Sequence, residues 1–331
     1  MTTETQVAPV SMPAPAPAGP PPTKSVEEGH AYFQGAIVPL AQANVSIATH
    51  AFNYGTGCFE GIRGYWNAAH NELYLLKLPE HYVRLIRSGK ILKIDAGLDV
   101  PQLVGITRAV LRRDNYRQDV YVRPLLYKAS KVIKVCLSGL EDQFAMFAVP
   151  MGNYMSTDGL RVTVSGWRRN DDNAIPSRGK VTGGYVNAAL AVDDAQQAGF
   201  DEAIMLTADG HVSEGSAANF FLIADGALIT PQVSNDILVG ITRGAVHELA
   251  RHLGIPIVER AIDRSELYQA DEAFMCGTGV QIAPVVEVDG RRVGDGKLGP
   301  LTRALQETYF QAVRGEVAAF RHWLTPLYEG A

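Results

Sequence analysis

Short apolar runs separated by Asp-Gly pairs dominate this chain and predict more strands than helices. In the first half, residues 32–33, 36–38, 73–76, 121–127, 132–135 and 142–149 read as strands, and residues 160–164 open a second set. Asp209-Gly210, Asp225-Gly226 and Asp289-Gly290 each sit between apolar runs, which is the signal of a tight hairpin. Helical spacing runs from Pro79 to about residue 91, with Tyr82, Leu85, Ile86 and Gly89 on one face. A second helix, about residues 101–115, presents Leu103, Ile106, Val110 and Leu111. Arg84 stands beside the first of these faces and needs either a fixed anionic partner or a route to solvent. Alanine-rich residues 185–198, then 242–253 and 301–313, supply the remaining helices. Strands and helices do not alternate strictly in either half. The pattern predicts an α+β protein of two domains, not a Rossmann sheet.

Composition changes the picture at the ends of these domains. Residues 1–29 are rich in proline and alanine with few large apolar side chains, so ordering them is expected to cost more than it returns. Residues 150–159 break the strand pattern with Pro150, Gly152 and Gly159 and are expected to link a domain at 30–149 to one at 160–331. A net charge of −5 gives no basic field for nucleic acid. No apolar run approaches the roughly 20 residues that span a bilayer. Cys58, Cys136 and Cys276 form no CxxC pair and read as reduced thiols of a cytoplasmic protein, and no metal-ligand spacing is present.

The candidate chemistry centres on Lys180, which lies between the Ile175-Pro176 turn and the glycine pair Gly183-Gly184. An enclosed lysine amine forms Schiff bases with carbonyl compounds, pyridoxal phosphate among them, although most loop lysines are simply solvated. Tyr185 follows, and its hydroxyl is able to hydrogen-bond a phenolate oxygen. Glu214 either caps an exposed turn or pairs with a protonated pyridine nitrogen. Gly240-Ile241-Thr242 precedes a helix, so its free N–H groups suit a phosphate, while a plain N-cap threonine is the simpler alternative. Gly277-Thr278-Gly279 offers a second cluster of N–H groups. Arg123, inside a strand, requires a carboxylate from the protein or from a substrate.

The order of these elements is more specific than any one of them. Tyr54-Gly-Thr-Gly-Cys-Phe-Glu-Gly-Ile-Arg63, Glu80-His-Tyr-Val-Arg-Leu85, Tyr121-Val-Arg-Pro124, Ile175-Pro176, Lys180 with Tyr185, Ser213-Glu-Gly215, Gly240-Ile-Thr-Arg243 and Gly277-Thr278 follow one another along the chain. In this the sequence resembles the class IV aminotransferases, which are fold type IV pyridoxal-phosphate enzymes. It is most similar to the branched-chain amino acid aminotransferases, from about residue 32 to 314. The resemblance implies a two-domain, D-amino acid aminotransferase-like fold with pyridoxal 5′-phosphate between the domains.

By the same resemblance, Lys180 is the Schiff-base lysine, Tyr185 the partner of the phenolic oxygen and Glu214 the partner of the ring nitrogen. Arg84, Gly240, Ile241, Thr242 and Thr278 match the phosphate site, and Leu238 the side chain packed on the ring. Phe59, Gly61, Tyr121, Arg123, Met151 and Tyr154 match substrate-pocket positions, with Arg123 linked to the side-chain carboxylate of glutamate. The substrate's own carboxylate is expected at Thr278, Gly279 and Val280. Tyr54 matches a residue that the family contributes from a neighbouring subunit, which implies a homodimer or larger assembly. The implied reaction transfers amino groups between branched-chain L-amino acids and 2-oxo acids. Two positions depart from the pattern: Met151 replaces a common tryptophan, and Gly279-Val280 replaces an alanine pair. Both alter pocket width, so a D-amino acid or (R)-amine transaminase, or an aminodeoxychorismate lyase, stands as an alternative on the same scaffold.

Overall fold

Residues 28–152 and 158–329 are described by a computed structural model of the chain. Tyr154, residues 153–157 of the linker and residues 1–27 of the proline-rich segment lie outside the described residues.

The first half runs β1 (His30–Phe33), β2 (Ala36–Pro39), α1 (His50–Tyr54), β3 (Gly57–Phe59), β4 (Ile62–Asn67), β5 (Glu72–Leu76), α2 (Leu78–Ile91), α3 (Val100–Asp114), β6 (Val120–Lys128) and β7 (Asp142–Pro150). The second half runs β8 (Leu160–Val164), α4 (Tyr185–Gln197), β9 (Glu202–Leu206), β10 (Val212–Gly215), β11 (Asn219–Ala224), β12 (Ala227–Thr230) and α5 (Ile241–His252). It continues through β13 (Ile257–Glu259), β14 (Glu272–Gly277), β15 (Gln281–Val288), β16 (Arg291–Arg292), α6 (Pro300–Val313) and β17 (Leu324–Pro326). Two sheets result. One has the order β17-β5-β4-β6-β7-β1-β2 with β3 beside β6; the other is β10-β9-β8-β15-β14-β11-β12-β13 with β16 beside β15. The last strand, β17, therefore returns to pair with β5 in the sheet built mainly from the first half. All three Asp-Gly pairs turn between antiparallel neighbours, as their spacing predicts.

Strand β6 shows how the pattern aims the site. Its even-numbered residues are buried, with Val120, Val122 and Leu126 in the core beneath α2 and α3. Its odd-numbered residues, including Tyr121 and Arg123, therefore share the opposite face. Pro124 cannot donate to a ladder, and the strand facing it is interrupted at Glu60-Gly61, between β3 and β4. In the other sheet, β8 and β9 pair in parallel, which forces the chain to cross back over the sheet. That crossover carries Lys180 and then α4, whose Ala188, Ala191 and Ala195 are small enough to let the helix lie close.

The strand expected at residues 132–135 does not form. This stretch is irregular, with Val132, Ile133 and Val135 exposed, because no neighbouring strand offers it a ladder. It is held instead from α1, where the buried His50 reaches Lys134 O through Nε2 at 2.8 Å and its N–H donates to Ser130 O. Among the described residues, no helix is long and apolar enough to cross a membrane.

Candidate active site

A cavity of about 930 Å³ lies between the two sheets and gathers most of the residues singled out from the sequence. Phe59, Gly61, Arg84, Tyr121, Arg123 and Met151 line it from the first half. Lys180, Tyr185, Glu214, Leu238, Gly240, Ile241, Thr242, Thr278, Gly279 and Val280 line it from the second. Tyr54 is not among the lining residues; it sits on α1 with its ring 4.7 Å from that of His50.

Lys180 is fixed by its backbone. Its N–H donates to Ser88 Oγ on α2 at 3.1 Å, its carbonyl accepts from Phe59 N–H at 3.1 Å, and Val181 bridges to Cys58. With both main-chain groups held by the opposite half of the protein, the side chain projects into the cavity. Its Nζ lies 2.5 Å from the Tyr185 hydroxyl and 4.9 Å from the centre of the Phe59 ring. Phe59 and Tyr185 also pack on each other, at 4.8 Å between centroids.

Glu214, on β10, is only 3% exposed. Arg169 Nη2 reaches its Oε1 at 2.6 Å, Asn219 Nδ2 donates to Oε2 at 2.8 Å, and Leu238 N–H donates at 3.2 Å. Burial pushes the Glu214 carboxyl above its ordinary pKa, while Arg169 and the Leu238 N–H pull the other way. Asn219 also donates to Leu238 O and lies against Gly240, where a Cβ would come within 2.0 Å of Asn219 Oδ1. Only glycine fits there.

The cavity offers two sets of free backbone donors. Helix α5 starts at Ile241 behind Gly240, with no side-chain cap, so its first N–H groups and the positive end of its dipole face the cavity. Thr242 lies inside the first turn, almost fully buried, and is not the N-cap that the simpler reading of the sequence expects. Thr278, Gly279 and Val280 form the turn between β14 and β15, and their N–H groups donate no hydrogen bond among the described residues.

The anionic partner required by Arg84 is Glu60, which is fully buried. Arg84 Nε and Nη2 grip its two oxygens at 2.6 and 2.7 Å, His81 Nδ1 donates at 2.7 Å, and Arg84 Nη1 donates to Val239 O at 2.9 Å. Burial alone would raise the Glu60 carboxyl; Arg84 and His81 overcome it and hold it at about 2. Because the side edge of the guanidinium is taken by Glu60, its remaining N–H groups are left for the cavity. Arg123 has no carboxylate partner among the described residues. Its Nη2 donates to the Tyr121 hydroxyl at 3.0 Å, its guanidinium carbon lies 4.4 Å from the Phe59 ring centre, and its Nε is buried without a partner. Gly61 makes room for this arrangement, since a Cβ there would lie 2.0 Å from Tyr121 Oη.

Sequence reasoning passed over the residues that hold these groups: Glu60 and His81 behind Arg84, Arg169 and Asn219 behind Glu214, and Ser88 behind Lys180. Glu60 carries the clearest signal, as a carboxylate inside an otherwise apolar and glycine-rich run. Arg169 lies in the polar stretch before Lys180 and has no sequence signal of its own. Neither Cys58 nor Cys276 is a reactive thiol: burial pushes Cys58 up to about 12 and raises Cys276 further. Among the described residues, no group of His, Cys, Asp and Glu is arranged to hold a metal.

The family described as amino-transferase class IV matches residues 57–288. A probable branched-chain-amino-acid aminotransferase of Aquifex aeolicus is 46% identical over 308 residues, covering 92% of this chain and 99% of its own. The branched-chain aminotransferase of Thermoproteus uzoniensis, solved with norvaline, superposes with a TM-score of 0.88 at 40% identity, covering 91% of this chain and 99% of its own. The branched-chain amino acid aminotransferase of Thermobaculum terrenum, solved in its PLP form, gives 0.87 at 34% identity and covers 91% and 99%. The match spans the cavity from Phe59 to Val280, and the chain belongs to the class IV aminotransferase family.

Proposed function

We propose that this protein exchanges amino groups between branched-chain L-amino acids and 2-oxoglutarate, using pyridoxal 5′-phosphate held in the cavity between the sheets. The observation that carries this reading is the Lys180 amine on the Tyr185 hydroxyl, in one cavity with a buried carboxylate and two clusters of free N–H groups. The residues present fit the cofactor. Arg84, Ile241, Thr242 and Thr278 would hold its phosphate; Leu238 would pack on the ring; Glu214 and Tyr185 would take the ring nitrogen and phenolic oxygen. When bound, the cofactor supplies an aldehyde for the amine nitrogen and a ring that draws electrons from the substrate Cα.

The protein's own part is to orient and to move protons. Lys180 Nζ would anchor the cofactor and, when free of it, would be placed to take up and return the proton of the substrate Cα. Tyr185 OH holds that amine in place between steps. Glu214, acceptor-only when ionised, would keep the ring nitrogen protonated. Phe59 and Tyr121 supply the apolar wall for a branched side chain. Arg123 rests on those two rings and turns from them to a side-chain carboxylate, so one pocket serves leucine and glutamate in alternate half-reactions. Arg123→Ala is expected to slow the glutamate half-reaction at least ~10-fold more than the leucine one, the value of one charge-assisted pair. Equal losses would remove its selective role.

Half-reaction spectra with L-leucine, L-glutamate, a D-amino acid and an (R)-amine test the substrate assignment. Conversion by only the last two would defeat it in favour of an (R)-amine or D-amino acid transaminase. Product release without formation of the amine form of the cofactor would point to a lyase.

We also propose domains at residues 30–149 and 160–331 and a homodimer or larger assembly in the cytoplasm. The assembly reading is supported by Ile47 at 82%, Phe52 at 69%, Ile133 at 73% and Val135 at 87% exposure, on α1, the turn before it and the adjoining 130–135 segment. Exposed apolar side chains gathered on neighbouring segments favour a contact with protein. Phe52→Asp is expected to shift the sedimentation of the enzyme toward monomer and to lower activity with it, since Tyr54 would then leave the neighbouring site. An unchanged oligomer would place the contact elsewhere.

A further inference from the structure

Of the non-glycine residues with positive φ among the described residues, only Gln281 and Lys77 are buried. Gln281 has φ +61° and is 2% exposed. It closes the three-residue turn Thr278–Val280, pairing with Gly277 across the β14–β15 hairpin. Loops of this length do end on a left-handed residue, but glycine or asparagine usually supplies it, because a longer side chain is strained there. Strain of this kind persists only where the surroundings over-determine it, and it gathers at working sites.

The surroundings here are specific. Gln281 Nε2 donates to the Tyr65 hydroxyl at 3.3 Å, and Tyr65 OH is 3.0 Å from Tyr309 OH on α6; both tyrosines are fully buried. Tyr65 belongs to β4, the strand that begins just after Gly61 at the wall of the cavity. The amide of Gln281 thus ties the turn of one sheet to a strand of the other. The turn lines the cavity, and its three N–H groups donate no hydrogen bond among the described residues.

We propose that Gln281 is a positioning residue for substrate. Through Tyr65 it locks the Thr278–Val280 turn at a fixed distance from the Gly61 wall, so that the turn's N–H groups meet the carboxylate while the side chain reaches its pocket. The proposal rests on reading the cavity as a site for amino and oxo acids. A role in positioning the carboxylate acts alike on ground state and transition state, so it appears in binding more than in kcat. A role only in the core would appear in thermal stability and leave ligand affinities unchanged.

The test uses holoenzyme and 4-methylvaleric acid, which has leucine's skeleton without its amino group. Its binding is followed by calorimetry and by cofactor absorbance. Gln281→Gly keeps the left-handed backbone and removes the tether; Tyr65→Phe removes the tether from the other side and leaves the turn untouched. Each is expected to raise the dissociation constant of the acid and the KM for L-leucine about three- to tenfold, the equivalent of one net hydrogen bond. Retention of pyridoxal phosphate should fall less than the affinity for the acid, because Thr278 is one of four groups assigned to the phosphate, and the saturated half-reaction rate should stay within about twofold. Wild-type affinity for the acid in both variants overturns the proposal, as does a parallel loss of acid and cofactor. If only Tyr65→Phe folds, its affinity decides. Failure of the wild-type holoenzyme to bind the acid or convert leucine would instead bring down the functional reading itself.

Discussion

Lys180→Ala is expected to cut transamination of leucine by more than about ten-thousandfold, because it would remove the proposed anchor and proton carrier together. No neighbour replaces it. Lys180 is the only amine among the described residues that line the cavity; Arg84 and Arg123 are guanidinium groups, and the Tyr185 hydroxyl cannot bond the cofactor through nitrogen. The variant should fold normally, since Lys180 is held by its backbone N–H and carbonyl and alanine retains both. Two measurements check it: single-turnover spectra with L-leucine, and mass analysis of the borohydride-reduced protein, in which wild type is expected to carry a cofactor adduct at this residue and the variant none. Appreciable turnover would sink the assignment.

Glu214→Gln should produce the next largest loss, and in two separate quantities. Three groups donate to this carboxylate, and an amide presents an NH2 to one of them where an oxygen stood. Arg169, with its side chain only 14% exposed, is left without its anion. Breaking a buried pair from one side costs about 3–5 kcal/mol, which urea unfolding will register as a lower midpoint. The half-reaction rate should fall roughly a hundred- to thousandfold as the ring nitrogen loses the group that keeps it protonated. Folded protein that retains cofactor and reacts at the wild-type rate would show that Glu214 has no electronic role.

Both substitutions concern residues visible in the sequence. The groups that make them effective are not. Lys180, Tyr185 and Glu214 can be picked out because their order along the chain is specific. Ser88, Arg169 and Asn219 meet them only through folding, across separations of 92, 45 and 5 residues respectively. The same holds for Arg84: its position beside an apolar face demands a partner, but nothing local identifies Glu60 as the answer. The opposite error occurs at residues 132–135. Four residues of strand-like composition form no strand, because β propensity describes fitness for a half-buried pleated surface and no such surface adjoins them.

By itself, then, the sequence determined most of the long helices and strands, the three hairpins, the alternation that places Tyr121 and Arg123 on one face of β6, and which side chains are candidates for the chemistry. These follow from short-range sterics and from period-two and period-3.6 burial. Tertiary structure decided which buried charges pair, that Tyr54 stays outside its own cavity, that β17 returns to the first sheet, and that a strained Gln281 ties the Thr278–Val280 turn to Tyr65. The physical reason is range. A buried ion pair or hydrogen bond depends on desolvation and on distances of about 3 Å, and these are set only when segments far apart in the chain pack together.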